Sequence, residues 1–369
     1  MRAEAYLEEV LAAFDIKAGE ADAVRSGQGH VNDTFMVTEP AGGRRYVVQR
    51  ISPTAFKRPD QVMENVVGIT EYLEHEIERA GGDPSREALH FLRPKAGELY
   101  YTDRDGGPWR AYPYVERTIS YQAAETPALF AASGRAFGRF QRLLRDYPAQ
   151  TLHETIPRFH DTENRLAKLK AAVAEDRMGR AAACQREIRF FLDREADCSV
   201  ALKALREGKL PLRVTHNDTK LNNVLMDEDT GEGVCVIDLD TVMPGLSIND
   251  FGDSIRFGAN HCAEDETDLS KVNLDLSLFE VYTQAFLEGA GGTLTEAEIQ
   301  YLPWGAKLMT LECGMRFLTD HLEGDVYFHT DRPGQNLDRC RTQCKLVADM
   351  EAHWDEMAEI VRKYKNLYS

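Results

Sequence analysis

The chain has 369 residues, 61 acidic against 44 basic side chains, a formal net charge of −17, 43% hydrophobic and 28% charged residues. That length exceeds one compact core and fits two lobes of a globular protein. The acidic balance argues against a nucleic-acid partner, which needs a basic face, and no apolar run approaches the roughly 20 residues of a membrane span.

Residues 3–14 read as an acidic amphipathic helix rather than a secretion signal. A hairpin spans 24–50: a strand to Gly29, a turn over His30 to Asp33, a strand Thr34 to Val37, and a second turn at Gly42-Gly43. Tyr46 to Ile51 is a further strand, rich in β-branched residues. Pro59 opens a helix to about Ala80, apolar at 62, 63, 66, 67, 69 and 73, a spacing close to 3.6. Strands near 98–103 and 109–115 flank the turn Asp105-Gly106-Gly107.

Strands plus one helix make a first lobe, residues 1–113, and Tyr112 to Glu116 crosses into a second, residues 114–369. The second lobe is helical over 126–146, 159–176, 183–207, 276–289, 295–322 and 336–365, with short strands over 213–240. The fold class is α+β: a small antiparallel-sheet lobe with one helix, and a larger, mainly helical lobe. Seven scattered cysteines, with no CxxC among them, fit a reduced, cytoplasmic protein.

The run Val214-Thr215-His216-Asn217-Asp218-Thr219-Lys220-Leu221-Asn222-Asn223, followed by Val234-Cys235-Val236-Ile237-Asp238, carries the chemistry. It sets an Asp, an Asn five residues later, and an Asp at the end of an apolar strand. Phosphoryl transfer from a magnesium nucleotide needs one carboxylate for the attacking hydroxyl and an amide and a second carboxylate for the metal. Asp218 is therefore the candidate proton acceptor, and Asn223 and Asp238 the candidate magnesium ligands. Lys220 is placed to touch the γ-phosphate, and His216 to orient the loop. An Asn-Asp pair usually marks only a turn. The flanking strands and the second Asp raise this one above that reading.

The literal tripeptide Asp250-Phe251-Gly252 is a decoy: it follows no apolar strand, and Asp250 and Asp253 read instead as braces for the loop or as helix caps. Asp240 is expected to assist at the metal or to cap the next segment.

Gly27-Gln28-Gly29 is a glycine turn whose amides can cover phosphates. On the next strand, Gln49 falls where kinases place a phosphate-binding lysine, so a hydrogen bond replaces a charge there. Arg50 points to the opposite face of a regular strand. Glu64 is the helix carboxylate that would have paired with the lysine, or a solvated one. The adenine is expected against the backbone of Tyr114 to Glu116.

The catalytic run, the segment Val236 to Gly245, the strand Tyr46 to Arg50 and the segment Glu312 to Phe328 resemble the aminoglycoside phosphotransferase superfamily of protein-kinase-like enzymes. Within it they are most similar to the N-acetylhexosamine 1-kinases. The resemblance covers nearly the whole chain. It implies ATP, Mg2+ and phosphorylation of the anomeric hydroxyl of GlcNAc or GalNAc. It also implies contacts to the sugar from Arg316 and Tyr327, with His30 reaching down from the N-terminal loop.

Arg316 and Asp320 are four apart, which is also ordinary ion-pair spacing on a helix, and Trp304 reads as core rather than as a sugar platform. Two other functions stand beside this one. A kinase of the same fold acting on an aminoglycoside, choline, homoserine or another sugar would need an acidic pocket if its acceptor is cationic. Asp250, Asp253, Glu264, Asp265, Glu266 and Asp268 are the acids available for that. A catalytically inactive nucleotide-binding protein would lack one of the three oxygen-bearing residues, and none is missing.

Overall fold

The computed structural model describes residues 3–26, 31–40 and 42–368. Alternating side chains build its first lobe. Strands β1 (Ala23–Arg25), β2 (Asp33–Thr38), β3 (Arg45–Arg50), β4 (Tyr101–Thr102) and β5 (Pro108–Pro113) form an antiparallel sheet in the order β1-β2-β3-β5-β4. Phe35, Val37, Tyr46, Val48, Trp109 and Ala111 are buried on one face under Tyr6, Leu7, Val10 and Leu11 of the N-terminal helical segment. Removing these apolar side chains from water is the main term holding that helix to the sheet. The expected strand over 98–103 shortens to two residues. Asp103 bends the chain away: its Oδ1 accepts from the amides of Asp105 at 3.0 Å and Gly107 at 2.7 Å, and Gly106 turns at φ 85°.

The helix Pro59–Arg79 joins the lobes. Val62, Met63, Val66 and Leu73 share one apolar cluster with Phe140, Leu144, Val214, Leu239 and Val242 of the second lobe. That lobe carries two small sheets. Strands β6 (Thr118–Ile119), β8 (Val224–Asp227) and β9 (Gly233–Val236) make one, and β7 (Arg213–Thr215) with β10 (Met243–Gly245) the other. Helices Pro127–Leu143, Ser247–Gly258, Leu276–Ala290 and Leu302–Glu323 pack beneath them.

Two helix crossings are backbone contacts. A Cβ on Gly138 would lie 2.1 Å from the Phe286 carbonyl oxygen, and one on Gly289 2.2 Å from that of Arg135. Likewise a Cβ on Gly252 would lie 2.2 Å from the Gly305 oxygen, and one on Gly305 2.1 Å from that of Ile248. The glycine of the decoy tripeptide is there for packing.

Three expected helices are broken. The 183–207 segment becomes Gln185–Leu192, Glu195–Cys198 and Val200–Arg206. The 295–322 segment splits at Tyr301, two residues before Pro303, whose ring has no N–H to continue the preceding turn. The 336–365 segment splits at His353. The helix Ser247–Gly258 was not expected as such, and places Asp250 and Asp253 inside it rather than at its cap. No described helix is long and apolar enough to cross a membrane.

Candidate active site

Strand β7 delivers the catalytic loop, and the buried carboxylate of Asp250 shapes it. The amides of His216 and Asn217 donate to Asp250 Oδ2 and Oδ1 at 2.9 and 2.8 Å, and Gln141 Nε2 donates to Oδ2 at 2.8 Å. Asn217 adopts a left-handed turn at φ 66°, a conformation Asn tolerates. Thr219 donates its amide to Asp253 Oδ2 at 3.1 Å and its hydroxyl to the Asp250 carbonyl at 2.6 Å. Asp250 and Asp253 thus brace the loop. Burial pushes the Asp250 carboxyl up against these bonds, whereas Asp253 is held below its usual range, its burial outweighed by Arg256, Lys220 and His160.

His216 is fully buried against Phe137 and Phe140. Its Nδ1 accepts from the Asp218 amide at 3.3 Å, which leaves Nε2–H to donate to the Ile237 carbonyl at 2.9 Å. This bond joins the loop before Asp218 to the residue before Asp238.

Around that joint Asp218, Lys220 and Asn223 meet, with Asp238 near enough to feel the Asp218 charge. Lys220 Nζ lies 2.9 Å from Asp218 Oδ1. Burial opposes the Lys220 charge, but Asp218 and Asp253 outweigh it and raise its pKa. Asn223 Nδ2 donates to the Asp218 carbonyl at 2.8 Å and to Oδ2 at 3.2 Å, so its side-chain oxygen is the end left for a cation. Asp238 sits in a left-handed turn, φ 58°, at the end of β9. Its side chain is exposed to solvent. Desolvation of the carboxyl, with Asp240 and Asp218 nearby, pushes it up to about 6.

A carboxylate so opposed is suited to a counter-cation. Among the described residues no group of three or more His, Cys, Asp or Glu side chains is arranged to hold a metal alone. One Asn and one Asp oxygen fit Mg2+, which keeps waters and takes its other ligands from phosphates.

In the first lobe, Gly27, Gly29 and His30 lie outside the described residues. Gln49 spends both ends inside the lobe: Nε2 donates to Thr34 Oγ1 at 3.1 Å, and Oε1 accepts from Arg110 Nε at 2.9 Å. Arg110 in turn is ion-paired with Asp240, the two side chains 2% and 5% exposed. Asp240, expected at the metal or as a cap, is thus committed to Arg110 and to Asn32 Nδ2 at 2.7 Å. Arg50 does face the other side, toward Asp103 at 3.1 Å and the Tyr6 ring. Glu64 is exposed and bonds His153 at 2.6 Å, away from the site. At the crossing, the Tyr114 amide donates to the Arg45 carbonyl at 2.9 Å, the Arg45 guanidinium lies over the Tyr114 ring, and Glu116 pairs with Arg45.

On the helical side, Arg316 and Tyr327 are brought together. The Arg316 guanidinium lies 5.3–5.7 Å from the centroids of Phe159, Tyr327 and Phe328, and no carboxylate pairs with it among the described residues. Arg165, Lys168, Thr319, Asp320, Glu323 and Phe328 line a 150 Å³ pocket with them. Asp320 does not pair with Arg316. Its carboxylate accepts the amides of Val326, Tyr327 and Phe328 at 2.8–3.0 Å and so builds the loop that presents Tyr327. Trp304 stacks edge-on with Trp354 against the core.

Sequence reasoning missed Arg110, although the β3–β5 pairing sets it directly opposite Gln49. It also missed His160, whose ring bonds Glu312 Oε1 at 3.1 Å and the Asn217 carbonyl at 3.2 Å. No local signal marks partners 57 and 152 residues away.

Comparison with known proteins agrees with this fold. Residues 22–271 match the family model described as the phosphotransferase enzyme family. Three solved structures share the fold. An aminoglycoside phosphotransferase from Alicyclobacillus acidocaldarius is 13% identical over 96% of both chains, TM-score 0.58. A choline kinase from Cryptosporidium parvum is 11% identical over 98% of both, TM-score 0.56. A spectinomycin phosphotransferase in complex with ADP and spectinomycin is 13% identical over 99% of both, TM-score 0.51.

Proposed function

This chain belongs to the phosphotransferase enzyme family, and we propose that within it the protein is an N-acetylhexosamine 1-kinase acting on GlcNAc or GalNAc. Membership brings phosphoryl transfer to a small-molecule hydroxyl, with ATP and Mg2+ as cofactors. Asp218 meets the anomeric hydroxyl and takes its proton. The hydroxyl oxygen bonds to the γ-phosphorus as the bond to the β,γ-bridging oxygen breaks, which releases ADP and the sugar 1-phosphate. Lys220 offers its ammonium to the γ-phosphoryl oxygens. Asn223 and Asp238 hold the Mg2+, whose charge offsets that of the phosphates.

The observation that carries the acceptor class is where the acids are spent. A cationic acceptor such as an aminoglycoside or choline needs free carboxylates. Asp250 and Asp253 brace the catalytic loop, Glu264 pairs with Arg256, and Asp265 with Gln335 and Arg332. Glu266 and Asp268 bond within their own turn and to Lys271. The pocket at Tyr327 is lined by three cations, Arg165, Lys168 and Arg316, and by two acids, Asp320, which is spent on three loop amides, and Glu323; this net positive lining supports an uncharged polyhydroxyl acceptor with an acetamide over a cationic one. Seven free cysteines support a reducing, cytoplasmic setting.

Phosphorus NMR of the product from ATP and GlcNAc tests this: the expected signal is a sugar phosphate coupled to the anomeric proton. Turnover of kanamycin or choline without turnover of GlcNAc or GalNAc overturns the proposal.

A further inference from the structure

We infer that Arg110 is the cation this lobe presents to the nucleotide phosphates, standing in for the lysine that β3 lacks. The inference rests on Asp238 being the metal ligand beside those phosphates.

Sheet register sets the position. Thr34, Gln49 and Arg110 lie directly opposite one another on β2, β3 and β5. Directly opposed residues share a face of a sheet, about 5 Å apart. Arg110 therefore approaches the same space as a β3 lysine, from one strand over. Gln49 is the neutral residue that permits this: its Oε1 accepts from Arg110 Nε, where a lysine would repel the guanidinium.

The acidic partner has moved with the charge. Kinases pair the β3 lysine with a helix glutamate. Here Glu64 is turned to His153, and the carboxylate that holds the cation is Asp240. Asp240 lies two residues beyond Asp238, so the ion pair sits beside the metal-binding segment rather than beside the helix. Asn32, just past the glycine turn, also bonds Asp240. One carboxylate thus ties together the segment entering β2, β5 and the metal segment.

Donor bookkeeping leaves a vacancy. A guanidinium has donors on three nitrogens. Nε is used by Gln49 and Nη1 by Asp240, and among the described residues no acceptor meets Nη2. A phosphate oxygen is the acceptor best matched to that remaining donor.

Calorimetry on the full chain separates this role from a structural one, with ATP·Mg2+, ADP·Mg2+ and adenosine as probes. Arg110→Met alone would strand Asp240, so Arg110→Met is combined with Asp240→Asn and compared with Asp240→Asn. The double variant is expected to bind ATP and ADP roughly tenfold more weakly or worse than the single, with adenosine affinity unchanged. Adding Gln49→Lys is expected to restore most of the loss. Should the double variant fail to fold, Arg110→Lys keeps the charge opposite Asp240 and is expected to weaken ATP but not adenosine. ATP affinity that does not change with residue 110 overturns the assignment. A wild type that binds adenosine but gains nothing from the phosphates also overturns it. A wild type that binds no nucleotide at all brings down the kinase reading itself.

Discussion

His216 Nε2 lies 2.9 Å from the carbonyl oxygen of Ile237, so one buried ring fastens the loop carrying Asp218 to the strand end carrying Asp238. The proposed base and the proposed metal ligand come from segments 20 residues apart in the chain. Three further bonds join the same segments: Asn217 Nδ2 to the Thr241 carbonyl at 2.8 Å, the Thr241 hydroxyl to the His216 carbonyl at 2.7 Å, and the Ile237 amide to the Asn223 carbonyl at 2.9 Å.

Replacing His216 by Phe keeps an aromatic ring against Phe137 and Phe140 but leaves the Ile237 carbonyl without its donor. Stability is expected to fall by about 1–3 kcal/mol. Urea unfolding measures it, and kcat is expected to fall further than the folded fraction explains.

Asp218→Asn removes the proposed proton acceptor while leaving an oxygen that can still face Asn223 and Lys220. A coupled ADP assay is expected to show kcat lowered by roughly 10²–10⁴, with little change in the KM for ATP. Undiminished ADP production would remove Asp218 from the base role.

Arg316→Ala tests the acceptor pocket separately. The KM for GlcNAc is expected to rise by about tenfold or more, while the KM for ATP stays near wild type. A rise confined to ATP would place Arg316 on the nucleotide side.

His160 links stability to pH. Burial opposes its charge, but the Glu312 carboxylate overcomes this and raises its pKa above the ordinary value. The folded state therefore holds a proton that the unfolded state releases near pH 6.5. Its stabilisation is complete below about pH 6.5 and is lost as pH rises through the folded value. Denaturant midpoints measured from pH 6 to 9 are expected to fall, and His160→Gln to flatten that slope.

Gly252→Ala probes the decoy tripeptide. The new Cβ would lie 2.2 Å from the Gly305 carbonyl oxygen, a backbone atom that cannot rotate away. The helices must separate, at an expected cost of roughly 3 kcal/mol, readable as a lowered melting temperature. The ATP KM of the folded fraction is expected to stay unchanged, because the residue serves a helix crossing.

Much of this protein was readable without coordinates because the determinants were local. β-branched residues marked β3, the 3.6-residue spacing marked Pro59–Arg79, and spacing together with the flanking strands singled out Asp218, Asn223 and Asp238. That Asp250 follows no apolar strand set it apart from the metal-ligand candidates, but bracing and helix capping were told apart only by its bonds to the His216 and Asn217 amides. The helix breaks at Tyr301 and His353 were not anticipated, although Pro303 stands two residues past the first. What folding alone decided are the partnerships between distant side chains. Arg110 meets Asp240 across 130 residues, His160 meets Glu312 across 152, and Asp320 turns to three amides instead of Arg316. Such pairs depend on sheet register and helix crossing, which bring charges together from opposite ends of the chain. No spacing along the backbone encodes that distance.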